Sequence, residues 1–402
     1  MSQVFERSTI EKSNRSWPLL VRTVFICGLY SSGQNVYGIS VNLPANIDIA
    51  TSAAIAFQYD DNVFLSREHR IDDWVSRASP MFRLTRDGPA SSLSGEFVLT
   101  HAHYRDGTRD SFNDYEANID WRWRAASLLE VQVSASYLDV AQTIDGVSDS
   151  GLDSILIEPE RTRMPSAEIA VALGRREGRL NGIIRRGQRD SEFDTPERNY
   201  SSAYYVFGTS YLVNENISFG LELSNTAVDY EDLRVAPERN SVEKVVLATT
   251  EYKLPKTRLM LRAGRLHKEF EFENRDKFEG PRWDFTASWS PKKYSVFSVT
   301  AGRNIQESLG DADFIDAESK AFTWSHQWAE TLTSSFSYSQ TIGEFVGIEQ
   351  ESEVMRSSFD IQYQPLDWLK LKLGVSALEN RSSEIHSILE NNRYIFVVEA
   401  PL

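Results

Sequence analysis

The sequence has one cysteine, Cys27, and six histidines among 402 residues. A single thiol cannot make an internal disulfide, so no cross-linked framework holds this chain, and a Cys-rich zinc module is excluded. Long apolar runs are missing as well. No stretch approaches the roughly 18–20 residues that a membrane helix needs. Basic excess is also lacking: 43 Lys and Arg stand against 58 Asp and Glu, a formal charge of -15. That balance argues against nucleic acid as a partner. The nucleophile-elbow, Walker and dinucleotide signatures are absent.

What the chain does have is a period. From about Ile47 onward, stretches of roughly 10–14 residues alternate apolar and polar side chains, as transmembrane barrel strands do. Leu369, Leu371, Leu373, Val375 and Ala377 interleave with Lys370, Lys372, Gly374 and Ser376. Successive strand side chains point to opposite faces, so this segment has one greasy face and one wet face. The period predicts strands near 48–60, 73–86, 91–105, 112–124, 129–142, 161–174, 179–190, 199–212 and 216–230. It continues at 241–253, 257–270, 282–290, 293–306, 315–328, 331–343, 352–364, 368–380 and 391–399.

Connections of two kinds take turns. Tight corners are expected at Asp87–Ala90, Arg175–Gly178, Val213–Asn216, Leu254–Thr257, Ser290–Lys293 and Gln364–Asp367, where Gly, Pro and Asn supply turn geometry. Longer charged connections are expected at Asn62–Asp72, Thr143–Glu160, Glu231–Asn240, Asn274–Gly280 and Ser382–Leu389. The expectation is all-β: an antiparallel up-and-down transmembrane barrel of about 18 strands, or about 16, with short periplasmic turns and longer extracellular loops. An even count puts both barrel ends on the short-turn side. A soluble sandwich or propeller is the alternative, but it would need larger inward side chains. Here Thr333, Ser335, Ser337 and Ser339 share a face. The 9 Trp, 16 Tyr and 21 Phe suit interface girdles, with Trp123, Trp289, Trp328 and Trp368 beside turns.

The N-terminus predicts export. Arg7, Lys12, Arg15 and Arg22 precede a short apolar stretch, Val24–Tyr30, and Val36-Tyr37-Gly38 offers a small-x-small cleavage pattern. The expected division is a signal peptide over 1–38 and an outer-membrane barrel over 39–402. Cys27 lacks the sequence context of a lipoprotein anchor, and a cytosolic tail is the alternative to a leader.

Alternation assigns faces. The lipid side is expected to carry Ile119, Trp121 and Trp123; Val131, Val133 and Ala135; Ile217, Phe219 and Leu221; and Phe285, Ala287 and Trp289. The lumen is expected to carry Asp120, Arg122, Arg124, Glu130, Gln132, Glu222, Arg356, Asp360, Lys370 and Lys372. Mixed charges in a wide barrel can select solutes by charge and size. The bland alternative is a lumen clamped by Arg–carboxylate networks with no transport role. His101 and His103, two residues apart, could bind a metal or work with Asp106, but no carboxylate stands at a recognisable spacing. No catalytic residue, cofactor or metal is expected; a barrel-embedded hydrolase is the remote alternative.

The first strand exits through Tyr59-Asp60-Asp61-Asn62-Val63-Phe64. This run resembles that of the β-barrel porins associated with bacterial exopolysaccharide operons; the rest of the chain is similar only in length, strand rhythm and turn style. The resemblance implies an outer-membrane barrel tied to export of a surface polysaccharide. Its implied partners are membrane lipid, polysaccharide and other components of an envelope secretion system. Asp60, Asp61 and Asn62 favour a turn, and Phe64 can pack at the rim. A closed scaffold that docks partners through its loops is the alternative function. Many such barrels end on an aromatic residue; here Tyr394 and Phe396 lie several residues short of Leu402.

Overall fold

A strand with one apolar face and two open edges is unstable alone; it needs neighbours on both sides. In the computed structural model each alternating segment finds two. The structure describes residues 41–43, 46–141, 161–175, 178–232, 236–272, 275–308, 310–383 and 387–401. The expected leader over 1–38, with Cys27, and the loop Thr143–Glu160 lie outside them. The chain divides into two units, Met1–Val36 and Tyr37–Leu402, and every described residue belongs to the second.

In chain order the strands are β1 (Val41–Leu43), β2 (Ile47–Asp60), β3 (Asp73–Asp87), β4 (Ser91–Tyr104), β5 (Phe112–Ala126) and β6 (Leu129–Ala141). Next come β7 (Arg161–Leu173), β8 (Leu180–Phe193), β9 (Tyr200–Leu212), β10 (Ile217–Tyr230), β11 (Ser241–Lys253) and β12 (Thr257–Phe270). The last are β13 (Phe278–Lys292), β14 (Ser295–Gln306), β15 (Phe314–Ala329), β16 (Leu332–Val346), β17 (Gln350–Leu366), β18 (Leu369–Ser382) and β19 (Ser387–Pro401). A short helix, α1 (Ala236–Arg239), precedes β11.

Every pairing is antiparallel between sequence neighbours, and β19 closes on β2 from Arg393–Asp60 to Pro401–Ser52. Of the nineteen strands in the sheet, all but β1 make the ring, so the barrel has eighteen. Closure removes both edges and rules out the sandwich and the propeller. The first barrel strand starts, and the last one ends, at the short-turn rim.

Four boundaries differ from expectation. The turns expected at Ser290–Lys293 and Gln364–Asp367 fall later, because β13 runs through Pro291 to Lys292 and β17 through Pro365 to Leu366. Both prolines sit where the register shifts, between Trp289 and Lys292 and between Tyr363 and Leu366. A bulge asks for no ladder N–H there, so proline is tolerated. The loop expected over Asn274–Gly280 gives way to strand from Phe278, with Pro281 paired to Arg265. β19 likewise starts at Ser387, inside the loop expected over Ser382–Leu389.

One face of the ring is apolar and exposed. Ile55, Phe57, Ile119, Trp123, Phe207, Phe219, Leu223, Val246, Leu373 and Tyr394 all stand in the open. Soluble proteins rarely expose a contiguous apolar patch above a few hundred Å². An encircling belt needs lipid. Trp289, Trp328 and Trp368 are exposed beside short turns, and Trp121 stacks on Trp123 with centroids 6.0 Å apart. Amphipathic rings suit that boundary. No helix among the described residues is long and apolar enough to cross a membrane; the strands do so. The protein is a bacterial outer-membrane β-barrel.

Candidate functional site

The face opposite the belt is the lumen wall. On β5, Asp120, Arg122 and Arg124 alternate with Ile119, Trp121 and Trp123, and register sets them across from Ser134, Gln132 and Glu130 on β6. The side chains meet: Gln132 Nε2 donates to Asp120, and Arg122 and Arg124 approach Glu130 at 3.5 and 3.4 Å. On β17 and β18, Asp360 accepts Lys372 at 3.1 Å, and Lys370 reaches Glu399 of β19 at 3.5 Å. Arg356 shares this wall, opposite Ser339 and Leu378. Glu222 stands apart from the others, on β10.

Glu222 belongs to a ladder whose other members alternation alone does not single out. Arg185 of β8 reaches it at 3.3 Å and Arg262 of β12 at 3.4 Å; Arg262 also bonds Asp284 of β13 at 2.8 Å. All four side chains are largely buried, and two cations meet two carboxylates. Removing charge from water is expensive, so such groups persist only when paired. Beside the ladder, Tyr204 donates to Glu168 at 2.8 Å; farther round, Arg83 of β3 meets Glu96 of β4 at 2.6 Å. Their inward parity was readable in the sequence; their partners, on other strands, were not.

Charge is not spread evenly around the wall. The inward positions of β14, β15 and β16 at mid-height are, apart from Ala321, hydroxyls: Ser298 and Thr300, Thr323 and Ser325, then Thr333, Ser335, Ser337 and Ser339. Ser337 and Ser358 of β17 bond at 2.7 Å. Thr300, Thr323 and Ser325 point inward yet are exposed to solvent. One arc of the wall is therefore neutral and wet, while the ladder lies on another.

At the long-loop rim the described connections fold inward. Val63, in the loop 61–72, packs with Val75, Ala102 and Tyr104, with Phe64 and Phe112 against them, while Leu65 packs with Val354, Leu378 and Leu389. One short segment thus touches walls from β3 to β5 and from β17 to β19. Leu65 takes a left-handed φ of 50°, a strained choice for leucine. Asn62 over-determines it: its carbonyl accepts Leu65 N–H at 3.0 Å, and its side chain bridges both backbone groups of Ser66 at 2.8 Å. Across the mouth, Lys268 is fully buried and donates to Glu243 at 3.1 Å and Glu307 at 2.6 Å. Tyr230 also donates to Glu307, at 2.9 Å, and Arg239 of α1 donates to the carbonyl of Ala312 at 2.8 Å.

The Tyr59–Phe64 run lies at the seam between the first and last barrel strands. Asp60 accepts Arg393 Nε at 2.9 Å, Asn391 Nδ2 at 2.5 Å and the Asn62 N–H at 3.1 Å. Asp61 accepts both the backbone and side-chain N–H of Asn392, and Asn62 donates to the Glu390 carbonyl at 2.8 Å. Tyr59 faces outward between Trp74 and Tyr394 and donates to Asp72 at 3.0 Å. Phe64 lies under the Arg109 guanidinium, 5.5 Å away. The run is thus both turn and clasp.

His101 and His103 alternate with inward Ala102 and Tyr104, so they face outward, bonded to Asn113 and Ser111. Asp106 meets Asp73 through its backbone N–H. No cluster of metal-ligating side chains occurs among the described residues.

No protein-family model matches the chain, and no curated protein matches it. Solved structures resemble it. OccK1 (OpdK) of Pseudomonas aeruginosa aligns at 12% identity over 88% of this chain and 98% of its own, with a TM-score of 0.47. OccK2 (OpdF) of the same organism, in complex with glucuronate, aligns at 11% over 88% and 98%, with a TM-score of 0.48. OccAB4 of Acinetobacter baumannii aligns at 11% over 89% and 98%, with a TM-score of 0.47. Likenesses this distant leave the functional argument to the barrel's own geometry.

Proposed function

We propose that the barrel is a water-filled conduit through the outer membrane for hydrophilic solutes. The more specific reading, from the Tyr59–Phe64 run, is export of an exopolysaccharide in company with other envelope secretion components. The observation that carries the conduit is the exposure of Thr300, Thr323 and Ser325 on the inward face. Hydroxyls left open on a lumen wall hold water and exchange it for a passing polar solute. Salt-bridged neighbours leave few bare charges to trap that solute, so passage stays fast. Planar bilayers containing the purified barrel are expected to show stepwise currents, and a deletion strain is expected to lose exported polysaccharide. Normal export with clear conductance would remove polysaccharide and keep the conduit; absence of conductance would remove both.

A second reading has an observation of its own. Val63, Phe64 and Leu65 fold onto the wall at the mouth, on the other side of the ring from the buried Lys268 cluster. A barrel closed by these loops would serve as a scaffold. Sealed bilayers together with a stable partner recovered from envelopes would favour it.

A further inference from the structure

Outside the barrel, one row of apolar side chains runs in register across four strands: Ile184, Phe207, Leu223 and Val246. All four are exposed, so they meet acyl chains. Continued onto β12 the row ends at Arg265, paired with Val246. One step toward the long loops, the next row reads Arg186, Tyr205, Asn225, Lys244 and His267. The lipid boundary therefore falls between two adjacent rows, and cations stand directly on it.

Neither Arg186 nor Arg265 has a carboxylate partner among the described residues, and both are exposed. Arg186 lies over the Tyr205 ring, 5.2 Å from its centroid, which steadies the guanidinium. Carboxylates begin at the far end of that second row, where Glu279 of β13 pairs with His267 at 3.1 Å, and continue above it. Lys244 meets Glu269 at 3.3 Å, and Glu269 lies two residues farther from the lipid than His267. Asp190 is four residues beyond Arg186 on the same strand. Ionisable groups at the edge of an apolar band are costly unless a partner meets them there. Planar guanidinium forks match phosphate oxygens, and headgroup phosphates occupy this depth.

We propose that Arg186, Lys244 and Arg265 form a docking surface for the phosphorylated sugar headgroup of an outer-leaflet glycolipid. Acyl chains would lie along Ile184, Phe207, Leu223 and Val246, with phosphate on the cations above. The proposal needs only the barrel's place in the membrane, so it stands apart from what the lumen carries.

Native mass spectrometry of the full-length barrel, released from detergent, tests it with bisphosphorylated lipid A and with the same lipid dephosphorylated. Lipid A is expected to bind the unaltered protein about tenfold more tightly than the dephosphorylated form, the scale of losing charge-assisted contacts. Arg186→Gln combined with Arg265→Gln is expected to abolish that preference while leaving the heat-dependent gel shift of the folded barrel intact. Equal binding of the two lipids to the unaltered protein would overturn the proposal whatever the variant does. So would full retention of the preference in the folded variant, or displacement of lipid A by inorganic phosphate alone.

Discussion

Replacing Asp60 with alanine should loosen the seam that closes the barrel. Asp60 is 5% exposed and accepts four donors, from Arg393, Asn391, Gln58 and the Asn62 backbone. Losing a hydrogen bond to a charged group costs about 1.5–3 kcal/mol, and each buried donor left unmet costs about 1–3 kcal/mol. Asn62 is 1% exposed and its backbone N–H would lose its acceptor, while Asn391, 2% exposed, would keep only the Asn62 carbonyl at 3.0 Å. The Arg393 side chain is 26% exposed, so water recovers part of its share. The net loss is about 3 kcal/mol, below the plain sum, because the rim relaxes. With a urea dependence of about 1–3 kcal/mol per molar, the midpoint should fall by about 1–3 M. The assay is the heat-dependent gel mobility of the barrel in lipid vesicles across a urea series. Asp61→Ala, at a more open position, should move the midpoint less. A double-mutant cycle with Asn391→Ala should show coupling rather than additivity. An Asp60→Ala midpoint equal to that of the unaltered protein would refute the seam argument.

Leu65→Ala removes the side chain packed with Val354, Leu378 and Leu389; stability should fall by about 2–3 kcal/mol, and bilayer conductance should rise as this inward fold shrinks. Glu222→Gln deprives Arg185 and Arg262 of a shared carboxylate; urea unfolding should show a loss of about 2–4 kcal/mol, because uncompensated buried charge is the penalty. At Gly187, a Cβ would collide with the Tyr204 ring that covers it. Gly187→Ala should therefore cost about 1–3 kcal/mol, and less in a Tyr204→Ala background; an equal cost in both backgrounds would show that the ring is not the obstacle.

Much of the fold was legible because a barrel strand advertises itself locally. β11 and β12 begin and end where the period placed them, at 241–253 and 257–270. Turn residues failed only where proline sits inside a bulge, at Pro291 and Pro365, since a bulge removes the need for the missing N–H. Alternation also separates Asp120 and Arg124 from Trp121 and Trp123, and the register keeps the two sets on different faces. Partnership was not: Glu222 meets residues 37 and 40 positions away, and parity gives no sign of which strand supplies them. The mouth was least legible. Asp60–Asn62 read as a turn and Phe64 as a rim contact, whereas Val63 and Leu65 anchor on the walls to either side of the β19–β2 seam, a choice set by tertiary packing.

Substituted-cysteine block tests the central claim, an aqueous lumen behind an alternating wall, most directly. Val299 and Thr300 are neighbours on β14 that face lipid and lumen respectively. In a Cys27→Ser background, each is changed to cysteine and exposed to a charged thiol reagent during bilayer recording. The expected result is a lasting fall in current for Thr300→Cys and none for Val299→Cys. Current unchanged by modification at Thr300, or reduced equally at both positions, would contradict a water-filled conduit lined by this face.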